Sequence, residues 1–292
     1  MTFRVVPEDA QAWVAALGEF ELPVLDRTLE ELASLREIEE RVTARDIARV
    51  LVHDPMFAVR VLRYLQTLRV PGESSEITTV EHALMMLGVG RFFRVFVGMH
   101  PVSAALRDYP EAYKGLMQVV SRAFHAAMYA RDWAVQRHDI EADEVTVAAL
   151  LHDLAEMLLW CFAPGTALRI QRELEARPGA RSGAVQREVL GFRLIDLQLA
   201  LVAEWKLPAL LRALMDDAHA AQPRVLNVVL AVNLARHSAQ GWSDPALPDD
   251  YASIQRLLGV RFQEALEGVY QVARQAARSR DWYGVVPPAD WL

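Results

Sequence analysis

The sequence predicts an all-α protein, and three observations support this fold class. Apolar residues recur at the spacing of one helix face along almost all of the 292 residues. Helix-start patterns, in which a threonine is followed three residues later by an acid, precede two of these stretches. No segment shows the alternation of apolar and polar residues that a half-buried strand requires. A composition rich in Ala, Leu, Val and Arg also favours helix.

Two helices are predicted around residues 43–68. Thr43 and Asp46 form a capping-box pattern for a helix that runs to His53. Asp54 is expected to cap the next helix, which begins at Pro55, because proline suits the first helical position. Apolar residues lie on two faces of this second helix, so we expect it to be buried.

The following segment is predicted to be a loop and then two helices. Residues 70–75 contain Pro71 and Gly72, which are typical of a loop. Thr78 with the acid three residues later predicts a helix that ends at Gly88. An aromatic-rich helix is then expected over residues 90–106.

Longer helices are predicted after Pro110, which we take as the boundary of an N-terminal lobe. The connection there is short and unlike a flexible linker, so we expect two packed lobes. The predicted ranges are an N-terminal helical lobe at 1–109, a helical core at 110–240 and a C-terminal helical extension at 241–292. The predicted helices are 111–136, 141–161, one bracketed by Pro164 and Pro178, 185–190, 194–205, 208–219, 224–238, 251–258 and 260–280.

Composition excludes several classes of function. No apolar run reaches the roughly 18 uninterrupted residues of a membrane span, and the N-terminus lacks the pattern of a signal peptide. The single cysteine, Cys161, excludes an internal disulfide framework and a zinc site of several thiolates, and we interpret it as a buried structural thiol. We therefore expect a cytoplasmic protein without membrane contact. A net charge of −7 argues against a broad nucleic-acid surface, which would be basic.

The candidate site is a His-Asp pair on an apolar helix. The dipeptide occurs at residues 53–54, 138–139 and 152–153. The first precedes a proline and is expected to be a cap, and the second falls in a polar turn. Only His152 and Asp153 are predicted to lie inside an apolar helix, where an unpaired charge is costly. Either a metal ion or polar groups of a neighbouring helix must satisfy this pair.

Several short motifs occur in an order that resembles one bacterial family. They are Leu22-Pro23, IARVLVHDP at 47–55, RVLRYLQT at 60–67, ITTVEHALMMLG at 77–88, AALLHDLAEMLL at 148–159 and EWKLP at 204–208. Together they resemble the HDOD family, signal-output domains related to the HD metal-dependent phosphohydrolases. The resemblance covers about residues 22–238, and it departs from the family mildly at Gln66-Thr67, where an Asn-Ser pair is usual. It implies an HD/HDOD-like multi-helix bundle.

The resemblance also implies that a metal centre has been lost. HD enzymes use a first histidine, the His-Asp pair and a later aspartate, which hold metal ions that activate water. Here the first histidine position is occupied by Val120 and the later aspartate position by Asn233. Further histidine positions of the family correspond to Leu194 and to the pair Ala218-His219. His152 and Asp153 are then vestigial, and two protein ligands do not make a secure divalent metal site.

The function expected from this resemblance is that of a signalling output or binding module, not an enzyme. HDOD proteins are regarded as non-enzymatic relatives that act through binding. We expect no cofactor and no metal, and a protein or small signalling ligand as partner, bound at a cleft between the lobes or at an apolar surface. The apolar tail at 282–292 is expected to pack on the body or on a partner.

Two other functions remain open from the residues alone. The first is an HD-type phosphohydrolase with an atypical ligand set that includes His125. The second is a DNA-binding regulator that uses residues 43–68 as a helix-turn-helix. The second requires a basic surface, formed by Arg45, Arg49, Arg60 and Arg63, and a reading helix whose first residues are exposed. That helix begins with Met56 and Phe57, which favours core packing, so nucleic-acid binding is not expected.

Overall fold

The computed structural model describes residues 2–3, 5–68, 77–177 and 179–292. These residues form helices and no β-strand, and their single extended pairing is a parallel bridge between Val24 and Pro101. The predicted all-α fold class is confirmed. The loop predicted at residues 70–75, with Pro71 and Gly72, and the helix boundary at Pro178 lie outside the described residues.

The α-helices follow one another with short connections. In chain order they are α1 (Ala10–Gly18), α2 (Asp26–Glu37), α3 (Ala44–Leu51), α4 (Pro55–Leu68), α5 (Val80–Leu87), α6 (Val89–Val95), α7 (Val102–Ala105), α8 (Pro110–Arg137), α9 (Ala142–Leu151), α10 (Leu154–Phe162), α11 (Pro164–Ala176), α12 (Ser182–Leu190), α13 (Leu194–Glu204), α14 (Ala209–Leu214), α15 (Pro223–His237), α16 (Leu247–Leu258) and α17 (Phe262–Ala276).

Local capping explains where α3 and α4 begin. The Thr43 hydroxyl accepts a hydrogen bond from the Asp46 N–H at 3.3 Å, and the Asp46 carboxylate accepts one from the Thr43 N–H at 3.0 Å. This is the reciprocal capping box that the sequence predicts. Asp54 accepts a hydrogen bond from the Phe57 N–H at 2.9 Å and so caps α4, which begins at Pro55 as predicted.

The limits of α5 differ slightly from the prediction. Its N-cap is Thr79, whose hydroxyl accepts a hydrogen bond from the His82 N–H at 3.2 Å, so the predicted cap at Thr78 is wrong by one residue. The helix ends at Gly88, as predicted, with a φ of 79°. Glycine adopts this positive φ without the steric cost that a side chain would add.

Two helices predicted as continuous are interrupted. The helix expected over residues 90–106 divides into α6 and α7, because the segment before Val102 pairs with Val24. The Val24 N–H donates to the His100 carbonyl, and the Val102 N–H donates to the Val24 carbonyl, each at 2.9 Å. The helix expected over residues 141–161 divides into α9 and α10 at His152 and Asp153.

The last two changes concern helix ends. The helix expected over residues 208–219 becomes α14 and a separate 3₁₀ turn, Asp217–His219. The final helix ends at Ala276 and continues as the 3₁₀ segment Ala277–Trp282. Phe262 is 45% exposed because it is the first residue of α17.

The chain forms two compact units that are interleaved along the sequence. The first contains the described residues of Met1–Val119 and Asp153–Leu207. The second contains Val120–His152 and Pro208–Leu292, and α8 contributes to both. The sequential ranges, a lobe at 1–109, a core at 110–240 and an extension at 241–292, stay a prediction.

The core of the first unit is aromatic. Trp13, Phe57, Phe92 and Phe162 are almost fully buried, and they lie on α1, α4, α6 and α10. Every apolar side chain at the start of α4 is buried, which confirms the prediction that this helix is internal. This burial is the main source of the unit's stability.

The core of the second unit contains Tyr129, Trp133 and Val269, on α8 and α17. The C-terminal tail packs on the body of this unit. The Trp242 indole N–H donates to the Pro288 carbonyl at 2.9 Å, and Pro288 is buried. The tail was expected to pack on the body or on a partner, and the first of these is observed.

One helical stretch, Ala142–Phe162, is long and apolar enough to cross a membrane by length and mean hydropathy. Of its most apolar window, 89% is buried inside the protein. Burial of this kind is also typical of the core helix of a water-soluble domain.

Candidate functional site

His152 and Asp153 lie at the break between α9 and α10. His152 retains helical angles, but its N–H bonds to the Ala149 carbonyl three residues earlier, which tightens the last turn of α9. Asp153 has φ −98° and ψ 21° and precedes α10 as its N-cap residue. Both residues are buried. The prediction that they lie within one continuous helix is therefore wrong, although the prediction that they are buried is right.

The imidazole of His152 is held by a carboxylate of the same unit. Its Nε2 atom lies 3.1 Å from Oδ1 of Asp217, the first residue of the 3₁₀ turn Asp217–His219. The Asp217 side chain is 55% exposed, whereas that of His152 is 7% exposed. A partly solvated carboxylate thus supplies the partner that a buried imidazole needs.

The turn that carries Asp217 is itself held together by polar contacts. Asp216 accepts a hydrogen bond from the Ala218 N–H at 3.1 Å, and its other oxygen lies 3.2 Å from Nδ1 of His219. His219 is largely exposed. Sequence reasoning missed Asp217, although it stands directly before the Ala218-His219 pair that the family resemblance singles out.

The beginning of α10 is fixed from within the first unit. The side-chain amide oxygen of Gln198, on α13, accepts a hydrogen bond from the Ala155 N–H at 2.8 Å. Gln198 is almost fully buried, so this bond satisfies a helix-start donor that water does not reach. Sequence reasoning missed Gln198 as well, and its signal was a polar residue in the otherwise apolar stretch LIDLQLALV.

The positions that would complete an HD-type ligand set hold other side chains. Val120 is fully buried on α8 and has no donor atom. Asn233 is half-buried on α15, and Leu194 is the first residue of α13. The Ala218-His219 pair lies in the 3₁₀ turn that begins at Asp217.

His125, the remaining candidate, is buried on α8 in the second unit. Its Nδ1 atom lies 2.8 Å from the Ser121 carbonyl, which can only accept, so Nδ1 carries the proton. Its Nε2 atom has no hydrogen-bond partner among the described residues. Burial lowers the pKa of this imidazole, which keeps it neutral. The ring therefore has the protonation state of a metal-ligating histidine.

The described residues bring together too few donors for a metal centre. In the part of the chain that the structure describes, no three or more His, Cys, Asp or Glu side chains form a group that could hold a metal ion. Catalytic metal sites usually have at least three protein ligands. The donor set of the described residues therefore does not fit an HD-type metal centre.

The single cysteine, Cys161, is interpreted from the sequence as a buried structural thiol. Its thiol is buried in the first unit, with its sulfur 3.6 Å from that of Met56. Burial raises the pKa of the thiol well above its ordinary value. The prediction of a buried structural thiol is therefore confirmed. A thiol buried in apolar surroundings is a poor nucleophile.

The start of α4 is not available to read DNA. Met56, Phe57 and Leu62 have no exposed surface. The Arg60 side chain is only 15% exposed, and its guanidinium donates to the Leu22 carbonyl at 2.7 Å. A recognition helix must expose its first residues to the groove, so the helix-turn-helix alternative for this segment is wrong.

A cleft in the first unit is large enough to admit a small ligand. It measures about 470 Å³ and is lined by Val6, Thr166, Arg169 and Leu190 among others. Its volume falls within the range of about 300–1,000 Å³ that is typical of ligand pockets.

Known proteins share features of sequence and fold with this chain. A family model described as the HDOD domain matches residues 22–221. The search of curated proteins found no significant match. Solved structures are similar as well.

The MmoQ response regulator from Methylococcus capsulatus is 20% identical with a TM-score of 0.65, and the match covers 86% of this chain and 98% of that one. A virulence factor from Campylobacter jejuni is 17% identical with a TM-score of 0.64, over 92% and 100% of the two chains. An HDOD domain protein from Geobacter sulfurreducens is 16% identical with a TM-score of 0.51, over 94% and 97%. At these identities the likeness is one of fold.

Proposed function

The chain belongs to the HDOD domain family, and on that premise we propose that it is a non-catalytic signalling module that acts by binding a protein or a small signalling ligand. Its HD-like fold would serve as a scaffold whose metal centre has been lost. The neighbour described as a response regulator is in keeping with a signalling role, although that likeness is one of fold alone.

The observation that carries this proposal is the make-up of the ligand positions that accompany His152. The Nε2 atom of His152 is engaged by the Asp217 carboxylate at 3.1 Å. Because a metal-bound histidine also has its second ring nitrogen oriented by a hydrogen bond, the other ligand positions decide the question. The positions that would add ligands hold Val120, which cannot coordinate, and Asn233, which is a neutral amide. A neutral amide is a much weaker metal ligand than a carboxylate.

A turnover assay tests the absence of catalysis. The full chain is incubated with cyclic dinucleotides and with bis(p-nitrophenyl) phosphate in the presence of Mn²⁺, Mg²⁺ or Fe²⁺. We expect no hydrolysis above the rate with metal alone, and no difference between wild type and His152→Ala. Hydrolysis that His152→Ala abolishes, while Asp217→Asn retains it, would overturn the proposal.

One observation favours a second candidate, an HD-type phosphohydrolase with an atypical ligand set. The buried Nε2 atom of His125 lacks a partner among the described residues, and its ring is held in the tautomer that metal ligands adopt. This candidate predicts metal-dependent hydrolysis that disappears in His125→Ala. If His125→Ala and wild type are equally inactive with each of the three metals, this candidate fails and the first stands.

A further inference from the structure

Two adjacent methionines on α5 present their side chains to solvent. Met85 is 65% exposed and Met86 is 62% exposed. The opposite face of the helix, with Ala83, Leu84 and Leu87, is buried in the first unit. The solvent face of α5 therefore carries two thioether sulfurs where a surface helix usually carries polar side chains.

The other described sulfur atoms are much less accessible. Met56, Met117, Met157 and Met215 are at most 3% exposed. Met99 and Met128 are half-buried. The single thiol, Cys161, is 1% exposed, and burial raises its pKa, so little of it is thiolate. An oxidant in solution therefore meets Met85 and Met86 before it meets the thiol, which is the opposite of the usual order of reactivity.

We propose that Met85 and Met86 are a modification site for two-electron oxidants of the peroxide class. In the reaction with hydrogen peroxide, a lone pair of the thioether sulfur attacks one peroxide oxygen. The S–O bond forms as the O–O bond breaks, and the departing hydroxide takes the proton from the oxygen now on sulfur. Each methionine becomes a sulfoxide, and its sulfur loses two electrons. The peroxide accepts these two electrons, so that one of its oxygens ends in the sulfoxide and the other in water.

Oxidation at this place changes the surface of the first unit without entering its core. A sulfoxide is polar, so oxidation makes the two exposed methionine side chains of α5 polar. The buried contacts of Leu84 and Leu87 are unaffected, so the helix is retained. Oxidation of Met56 would be different, because its sulfur lies against Cys161 in the core.

The test follows oxygen uptake by each methionine in the native chain. The full chain is treated with hydrogen peroxide at neutral pH, samples are quenched over time and digested, and each peptide is analysed by mass spectrometry. We expect the peptide that contains Met85 and Met86 to gain oxygen at least about tenfold faster than those with Met56, Met157 or Met215, because buried sites must first open. Equal rates at these sites would overturn the proposal, as would faster modification of Cys161.

Variants show whether the fast oxygen uptake belongs to Met85 and Met86 or to methionines in general. Met85→Leu with Met86→Leu is expected to remove most of the fast oxygen uptake and to leave the unfolding midpoint unchanged. Met56→Leu, the buried control, is expected to leave the fast phase intact. The map of the native chain needs neither variant, so the proposal stays testable if one of them fails to fold. Treatment of the oxidised chain with both classes of methionine sulfoxide reductase should restore the original mass, and a mass that stays raised at the 85–86 peptide would contradict sulfoxide as the product.

Discussion

The Nε2 atom of His152 lies 3.1 Å from Oδ1 of Asp217, 65 residues further along the chain. The imidazole is almost buried, and the carboxylate is more than half exposed. This contact joins the end of α9 to the 3₁₀ turn after α14 within the second unit. A buried imidazole is thus paired with a solvent-accessible carboxylate.

The contact predicts a measurable but modest coupling. In a double-mutant cycle of His152→Ala and Asp217→Ala, we expect a coupling free energy of about 0.5–1 kcal/mol. The value stays small because water screens the exposed carboxylate. Denaturant unfolding of the four proteins gives the number. A coupling indistinguishable from zero would show that the two side chains do not interact in solution.

Loss of the Asp54 carboxylate is expected to have a larger effect on the free energy of unfolding. This carboxylate is fully buried and accepts hydrogen bonds from the Leu25 N–H at 2.8 Å and the Phe57 N–H at 2.9 Å. Asp54→Ala leaves both donors buried and unpaired, and we expect a loss of about 2–4 kcal/mol in the free energy of unfolding. The matched control is Asp46→Ala, the solvent-accessible N3 aspartate of the α3 capping box, with an expected loss well below that of Asp54→Ala. Similar losses for the two variants would contradict this account.

Asp54 and its neighbour His53 predict opposite dependences of stability on pH. Burial raises the pKa of Asp54 from 3.8 to about 6. Its contribution to stability is therefore present below pH 4 and is lost as the pH rises towards 6. Burial lowers the pKa of His53 from 6.5 to about 4. Its contribution is present above pH 6.5 and is lost as the pH falls towards 4. The two contributions offset each other between pH 4 and pH 6.

Single variants separate the two groups. In His53→Gln, the free energy of unfolding should fall more steeply than in wild type as the pH rises from 4 to 6. In Asp54→Asn, it should rise more steeply than in wild type over the same interval. Urea unfolding at half-unit steps of pH measures both slopes. Curves that run parallel to wild type for both variants would show that neither group has a shifted pKa.

A fourth prediction concerns close packing at α8. A Cβ atom at Gly115 would lie 2.5 Å from the ring of Trp160, so no side chain fits there without movement of the indole. We expect Gly115→Ala to cost about 1–3 kcal/mol, although alanine is the better helix former. The control is Gly268→Ala on α17, where no atom lies within 4 Å of the added Cβ. That change should stabilise the chain by about 0.5–1 kcal/mol. Thermal unfolding midpoints that move in the same direction would contradict the packing argument.

Local signals in the sequence were sufficient for most helix limits. The capping box of Thr43 and Asp46 and the helix stop at Gly88 depend on residues within one turn of each other, and both are confirmed. The break between α6 and α7 also had local signals, Gly98 and Pro101, which the prediction of one continuous helix overlooked. Helix content and the buried character of α4 follow from apolar spacing alone.

The contacts that define the candidate site could not be predicted in the same way. His152 was recognisable because it is a polar residue in an apolar stretch, but its partner Asp217 lies in a different element. Gln198 caps α10 from 43 residues away. The break at His152 and Asp153 has no glycine or proline to mark it. Such contacts arise from tertiary packing, to which local propensity is a weak guide.

The central claim, that this HD-like fold has lost its metal centre, is tested most directly by equilibrium metal binding. The chain is purified without chelator and dialysed against Mn²⁺, Fe²⁺ or Zn²⁺ at neutral pH. Bound metal is then measured by inductively coupled plasma mass spectrometry. The variants His152→Ala and His125→Ala are treated in the same way. We predict bound metal well below one equivalent, with no difference among the three proteins. Stoichiometric metal in wild type that is lost in His152→Ala or His125→Ala would contradict the account.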